Sequence, residues 1–81
     1  MADARDKAHD LLAQCGEALW GSRWQSDMAE ALGVSDRTVR RWVAGERIPP
    51  GVFLDLIRLT AERSAYLDQI TEELREAGGG V

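Results

Sequence analysis

The sequence predicts an all-α fold, a compact four-helix domain with a long C-terminal helix. Three observations carry that expectation. Apolar residues recur at threes and fours along most of the chain, and no stretch alternates apolar and polar residues as a strand does. Gly21, Gly33, Gly45 and the Pro49–Pro50 pair cut the chain into helix-sized lengths. Finally, 81 residues, 44% of them hydrophobic and 30% charged, form one small globule with a single core.

The first helix is expected from about Ala4 to Trp20. Ala8, Leu12, Cys15 and Leu19 form its inner stripe, Leu11 and Ala18 widen it, and Gly21 stops it. The second is short, about Arg23 to Leu32. Ser22 followed three residues later by Gln25 fits a capping box, and Met28, Ala29 and Leu32 face inward. Ser35 is a good N-cap for a third helix to about Ala44, with Val39 and Trp42 inside. Gly45 ends that helix, and Pro49 and Pro50, excluded from helix interiors, open the next. The fourth runs from about Pro50 to Ala77, with Phe53, Leu56, Ile57, Thr60, Leu67, Ile70 and Leu74 at helical spacing and Arg63 and Ser64 interrupting. Residues 1–77 are thus one domain, and 78–81 a flexible tail.

Composition excludes several function classes. Cys15 is the single cysteine, so neither an internal disulfide nor a thiol metal cluster is expected. The single histidine, His9, stands six residues from Cys15, off the i, i+4 geometry of helix-borne ligands, and no catalytic constellation can be assembled. No metal, cofactor, small-molecule effector or enzyme activity is expected. The first ten residues mix acids and bases and lack the apolar run of a signal peptide. No apolar stretch approaches the roughly 20 residues of a membrane span, so a cytoplasmic protein is expected.

A formal charge of −4 argues against nucleic acid as a partner, but the distribution reverses that inference. From Ser35 to Arg47 stand Arg37, Arg40, Arg41 and Arg47 against Asp36 and Glu46, a local +2, while the rest of the chain carries −6. A short basic segment on an acidic body is what a phosphate-facing surface requires.

That segment belongs to a joint pattern. Two short helices meeting steeply need a small residue at their contact, supplied by Ala29, and a residue tolerant of positive φ at the turn, supplied by Gly33. An apolar set must seal the angle, and Met28, Leu32, Val34, Val39 and Trp42 are spaced to do so. With these in place, the stretch QSDMAEALGVSDRTVRRW resembles the helix-turn-helix of the Cro and lambda-repressor type, found in small phage and bacterial transcriptional regulators. The resemblance covers about residues 23–45. It implies that Ser35, Asp36, Arg37 and Arg41 face bases and that Gln25 meets a phosphate.

Read on their own, Arg37 and Arg41 lie one turn apart, opposite Val39 and Trp42, and suit bidentate bonding to guanine. Arg40 and Arg47 suit phosphates, with Thr38, Gln25 and Arg23 as weaker candidates. Plainer roles compete. Asp36 complements the helix dipole and stands one turn before Arg40 for an exposed ion pair, which is preferred over a bond to cytosine. Gln25 is divided between capping and phosphate, and the three tryptophans read as core anchors rather than a stacking platform.

The last helix is too long for this small core to cover. Tyr66, Leu67, Ile70 and Leu74 are therefore expected to meet the same helix of a second copy, placing two recognition helices about 34 Å apart on a palindromic duplex. The leading expectation is a homodimeric, sequence-specific double-stranded-DNA-binding regulator, a repressor or autorepressor. The alternative is an antitoxin or adaptor using the same fold to grip a protein.

Overall fold

The computed structural model describes residues 4–79. The first three residues and the final two of the expected tail lie outside this range. The chain is all-α, with α1 Ala4–Trp20, α2 Trp24–Leu32, α3 Asp36–Val43 and α4 Pro50–Ala77. Glycine and proline act locally, which is why the punctuation places these helices within about a residue of their expected ends.

Gly33 closes α2 in the left-handed region, at φ 71° and ψ 31°. Its own N–H bonds the Glu30 carbonyl and the next, from Val34, reaches back to Ala29 at 2.9 Å. That six-to-one bond satisfies a carbonyl the helix end leaves open, and only glycine adopts the required φ without steric cost. The turn then feeds Ser35, whose extended backbone and hydroxyl cap α3 by accepting from the Thr38 N–H at 3.1 Å.

The core lies where α1, α2 and α3 meet, closed by the first turns of α4. Met28 and Val39 are wholly buried; Leu12, Ala29, Trp24, Trp42, Ile48, Val52 and Leu56 complete the cluster. Ile48 fixes the loop between α3 and α4, and His9 adds a second tether, its Nε2–H donating to the Glu46 carbonyl at 2.7 Å. Burial of this kind contributes on the order of 1.5–3 kcal/mol per large side chain.

Trp24 and Gly16 are a matched pair. Gly16 is buried in mid-α1, and a Cβ there would overlap the Trp24 indole, so the glycine is the floor on which that ring lies. The same packing corrects the expected capping box. With the Trp24 ring seated on α1, α2 begins at Trp24, Arg23 takes the N-cap position at φ −103° and ψ 37°, and no side chain caps the helix. Ser22 and Gln25 do not form the reciprocal bonds expected of them.

Two further expectations are corrected. Leu11 and Ala18 widen no core stripe of α1; both are exposed, because α4 covers only the Leu12–Leu19 side. On α4, Ile57 and Thr60 are likewise exposed, whereas Val52 is buried. Among the described residues beyond Leu59, only Ile70 is even half-buried. A helix of 28 residues is about 42 Å long. The molecule measures 50 Å along its longest axis against 22 Å along its shortest, so α4 outruns the body beneath it. Among the described residues, no helix is long and apolar enough to cross a membrane.

Candidate nucleic-acid interface

The basic segment is organised by what lies behind it. α3 is only eight residues long, and its two buried side chains, Val39 and Trp42, sit on one side against α1 and α2. At 100° per residue, burying those two turns Arg37, Arg40 and Arg41 to the opposite side. All three are exposed. Among the described residues the ion pairs are Arg58–Glu62 and Arg75–Glu72, both on α4, so no described carboxylate pairs with the α3 guanidiniums. Arg47 is exposed on the loop that Ile48 and the His9 bond hold in place, and it too is unpaired.

The other expected positions divide. Ser35 and Thr38 are engaged with each other: the Ser35 hydroxyl accepts from the Thr38 amide, and the two hydroxyls lie 2.9 Å apart. Both are committed to capping, which reduces their freedom to read a base or phosphate. Asp36 makes no ion pair with Arg40. Its Oδ2 accepts from the Ser26 hydroxyl at 3.1 Å, tying the start of α3 to α2. The carboxylate also lies at the N-terminus of α3, where the helix dipole favours negative charge.

Gln25, half-buried in the first turn of α2, makes no capping bond, so its amide is available. Arg23 is exposed beside it. Arg23, Gln25, Arg37, Arg40, Arg41 and Arg47 therefore supply guanidinium and amide donors without partners among the described residues, and Ser35, Asp36 and Thr38 hold the helix that carries three of them. Two positioning contacts escape sequence reasoning, Ser26 to Asp36 and His9 to Glu46. Each joins residues ten or more apart through a short polar side chain, and periodicity carries no signal for such pairs.

Among the described residues, no group of three or more histidine, cysteine or acidic side chains is placed to hold a metal ion. Burial pushes the Cys15 thiol above its ordinary value, which keeps it protonated and weakly nucleophilic at neutral pH. Compared with protein-family models, curated proteins and solved structures, the chain matches none.

Proposed function

We propose that the protein is a sequence-specific double-stranded-DNA-binding regulator of the helix-turn-helix type, acting in the bacterial cytoplasm as a repressor or autorepressor. One observation carries this reading: three exposed, unpaired arginines project from a short helix whose opposite side is wedged into the core by Val39 and Trp42. A guanidinium cluster that no described carboxylate pairs is matched by a polyanion, and a helix standing on its buried side is shaped for the major groove. Arg37 and Arg41, one turn apart, are assigned to bases. Arg40, Arg47, Arg23 and Gln25 are assigned to phosphates.

The acidic remainder repels non-specific DNA, so affinity depends on few contacts, each of which matters. A second copy, meeting the first through the exposed Tyr66, Leu67 and Leu74 and the half-buried Ile70, doubles them and implies a palindromic site.

Selection of bound duplexes from a random pool tests the reading. A palindromic sequence is expected, with Arg37→Ala or Arg41→Ala costing about 1–3 kcal/mol per half-site and relaxing preference at one base pair. Arg40→Ala or Arg47→Ala is expected to weaken all sequences alike and to flatten the salt dependence by about one unit of slope per half-site. If folded protein retains no duplex even at low salt but co-purifies in a stable heterocomplex, the protein-gripping adaptor or antitoxin is the correct reading instead.

A further inference from the structure

The molecule carries both an unpartnered apolar ridge and an open apolar groove, and the two suit each other. The ridge is the distal part of α4. Phe53, Thr60, Leu67 and Leu74 stand seven apart, and Leu56, Arg63, Ile70 and Ala77 repeat at the same interval, three residues on, giving an alternating 3–4 seam of coiled-coil type. Within one chain α1 covers the beginning of this seam, but Leu67 and Leu74 remain 52% and 66% exposed. The groove lies between α1 and α4, about 220 Å³ in volume, with buried Leu12 and Leu56 at its base and exposed Leu11 and Ile57 at its rim. Cys15 and Thr60 also line it. The Thr60 hydroxyl donates to the Leu56 carbonyl at 2.9 Å, so an apolar visitor leaves no polar group of Thr60 unpaired.

We infer that two copies associate through antiparallel α4 helices, the distal seam of each seated in the α1–α4 groove of the other. The inference rests on the dimer reading above and specifies its orientation, register and contacts. Charge selects the direction. In a parallel, in-register pair the same residues meet, so Arg63, a seam position, faces its own copy. The distal acids Asp68, Glu72, Glu73 and Glu76, offset only by Arg75, are then gathered at the same end of the pair. Antiparallel pairing removes both conflicts. Layering Leu74 over Leu56 sets Ile70 against Thr60, Ala77 against Phe53, and Arg63 beside Leu67 and Asp68 of the partner copy.

Arg63 makes no ion pair with a described residue of its own chain, and it lines one recess of the α1–α4 surface together with Asp68 and Leu67. The pairing thus supplies the carboxylate it lacks. A two-fold at Ala65 separates the two Leu56 positions by roughly 27 Å along the helix pair.

Cysteine cross-linking tests this orientation. In a Cys15→Ser background, Ile57→Cys and Leu74→Cys replace two exposed side chains, so circular dichroism is expected to match the parent for both. Each variant oxidised alone is expected to give no covalent dimer, whereas the two mixed and allowed to exchange give a disulfide-linked pair containing one chain of each kind. Self-linking by Leu74→Cys alone overturns the inference in favour of a parallel pair. A chain that sediments as a monomer, or a dimer with no mixed link, overturns it as well. Charge exchange is a second measurement: Arg63→Asp and Asp68→Arg are each expected to weaken dimerisation several-fold, and together to restore it. No nucleic acid enters either experiment, so their failure leaves the α3 reading to stand or fall by duplex selection.

Discussion

The apolar stripe of α2 and α3 and the apolar stripe of distal α4 are written in the same code, with side chains at threes and fours, and they meet opposite fates. Met28 and Val39 are fully enclosed, while Tyr66 and Leu74 are 60% and 66% exposed. The difference lies in what the chain can bring back to them. Gly33 turns α2 onto α3 within three residues, so each stripe supplies the cover for the other. Past Leu59, α4 runs on without another turn, and the body beneath it ends near Trp20. Periodicity therefore states that a face seeks cover; connectivity decides whether the cover is internal.

Identical polar substitutions in the two stripes give the largest test of this contrast. Val39→Asn places an amide in a fully buried site and forfeits the valine's burial, a combined cost of about 3–5 kcal/mol. In a domain of this size, thermal unfolding by circular dichroism is expected to show a chain largely unfolded at 37 °C. Leu74→Asn is expected to keep the helical signal of the diluted chain, within the few tenths of a kcal/mol set by helix propensity, while abolishing association in sedimentation. A Leu74→Asn chain as unfolded as Val39→Asn shows that α4 is needed for folding in ways its exposure does not reveal.

Glycines sharpen the same contrast. Gly16 and Gly51 both lie in helices, where alanine is intrinsically favoured, by as much as 0.5–1 kcal/mol in an interior. At Gly51 an added Cβ meets open space, so Gly51→Ala is expected to raise the melting temperature slightly. At Gly16 the Cβ enters the Trp24 indole, and Gly16→Ala is expected to cost about 1–3 kcal/mol as the ring is displaced from α1. Two substitutions of the same type thus move stability in opposite directions. An increase at both positions shows that the indole has room to shift, and removes the matched-pair account of α1 and α2.

Which features are readable from sequence follows from range. The helix limits are set by nearby glycine, proline and serine, and Gly21, Gly33, Ser35 and Pro50 act on their own few residues. The outward direction of Arg37, Arg40 and Arg41 follows from Val39 and Trp42 on the same eight-residue helix. By contrast, the Gly16 floor, the late start of α2, the burial of Ile48 and the Ser26–Asp36 bond all depend on where a second element arrives. Leu11 and Ile57 show the limit most plainly. Both satisfy the periodicity of a core stripe and both stand at the rim of an open groove, since helical spacing identifies a face but not the width its neighbour covers.

Asp36 is where the two kinds of role, structural and functional, meet on one side chain, and it gives the smallest of the expected effects. As a base reader it accepts from cytosine; as a structural residue it holds the Ser26 hydroxyl and complements the dipole of α3. Asp36→Asn separates the two, because the amide oxygen still accepts from Ser26 while the charge is lost. The structural role, which the 3.1 Å bond favours, predicts a stability loss of about 0.3–1 kcal/mol and an unchanged selected sequence. Removing one negative charge beside Arg37 and Arg40 also raises affinity for all duplexes together, most visibly at low salt. A changed preference at a single base pair, with stability unmoved, reassigns Asp36 from holding α3 to reading bases with it.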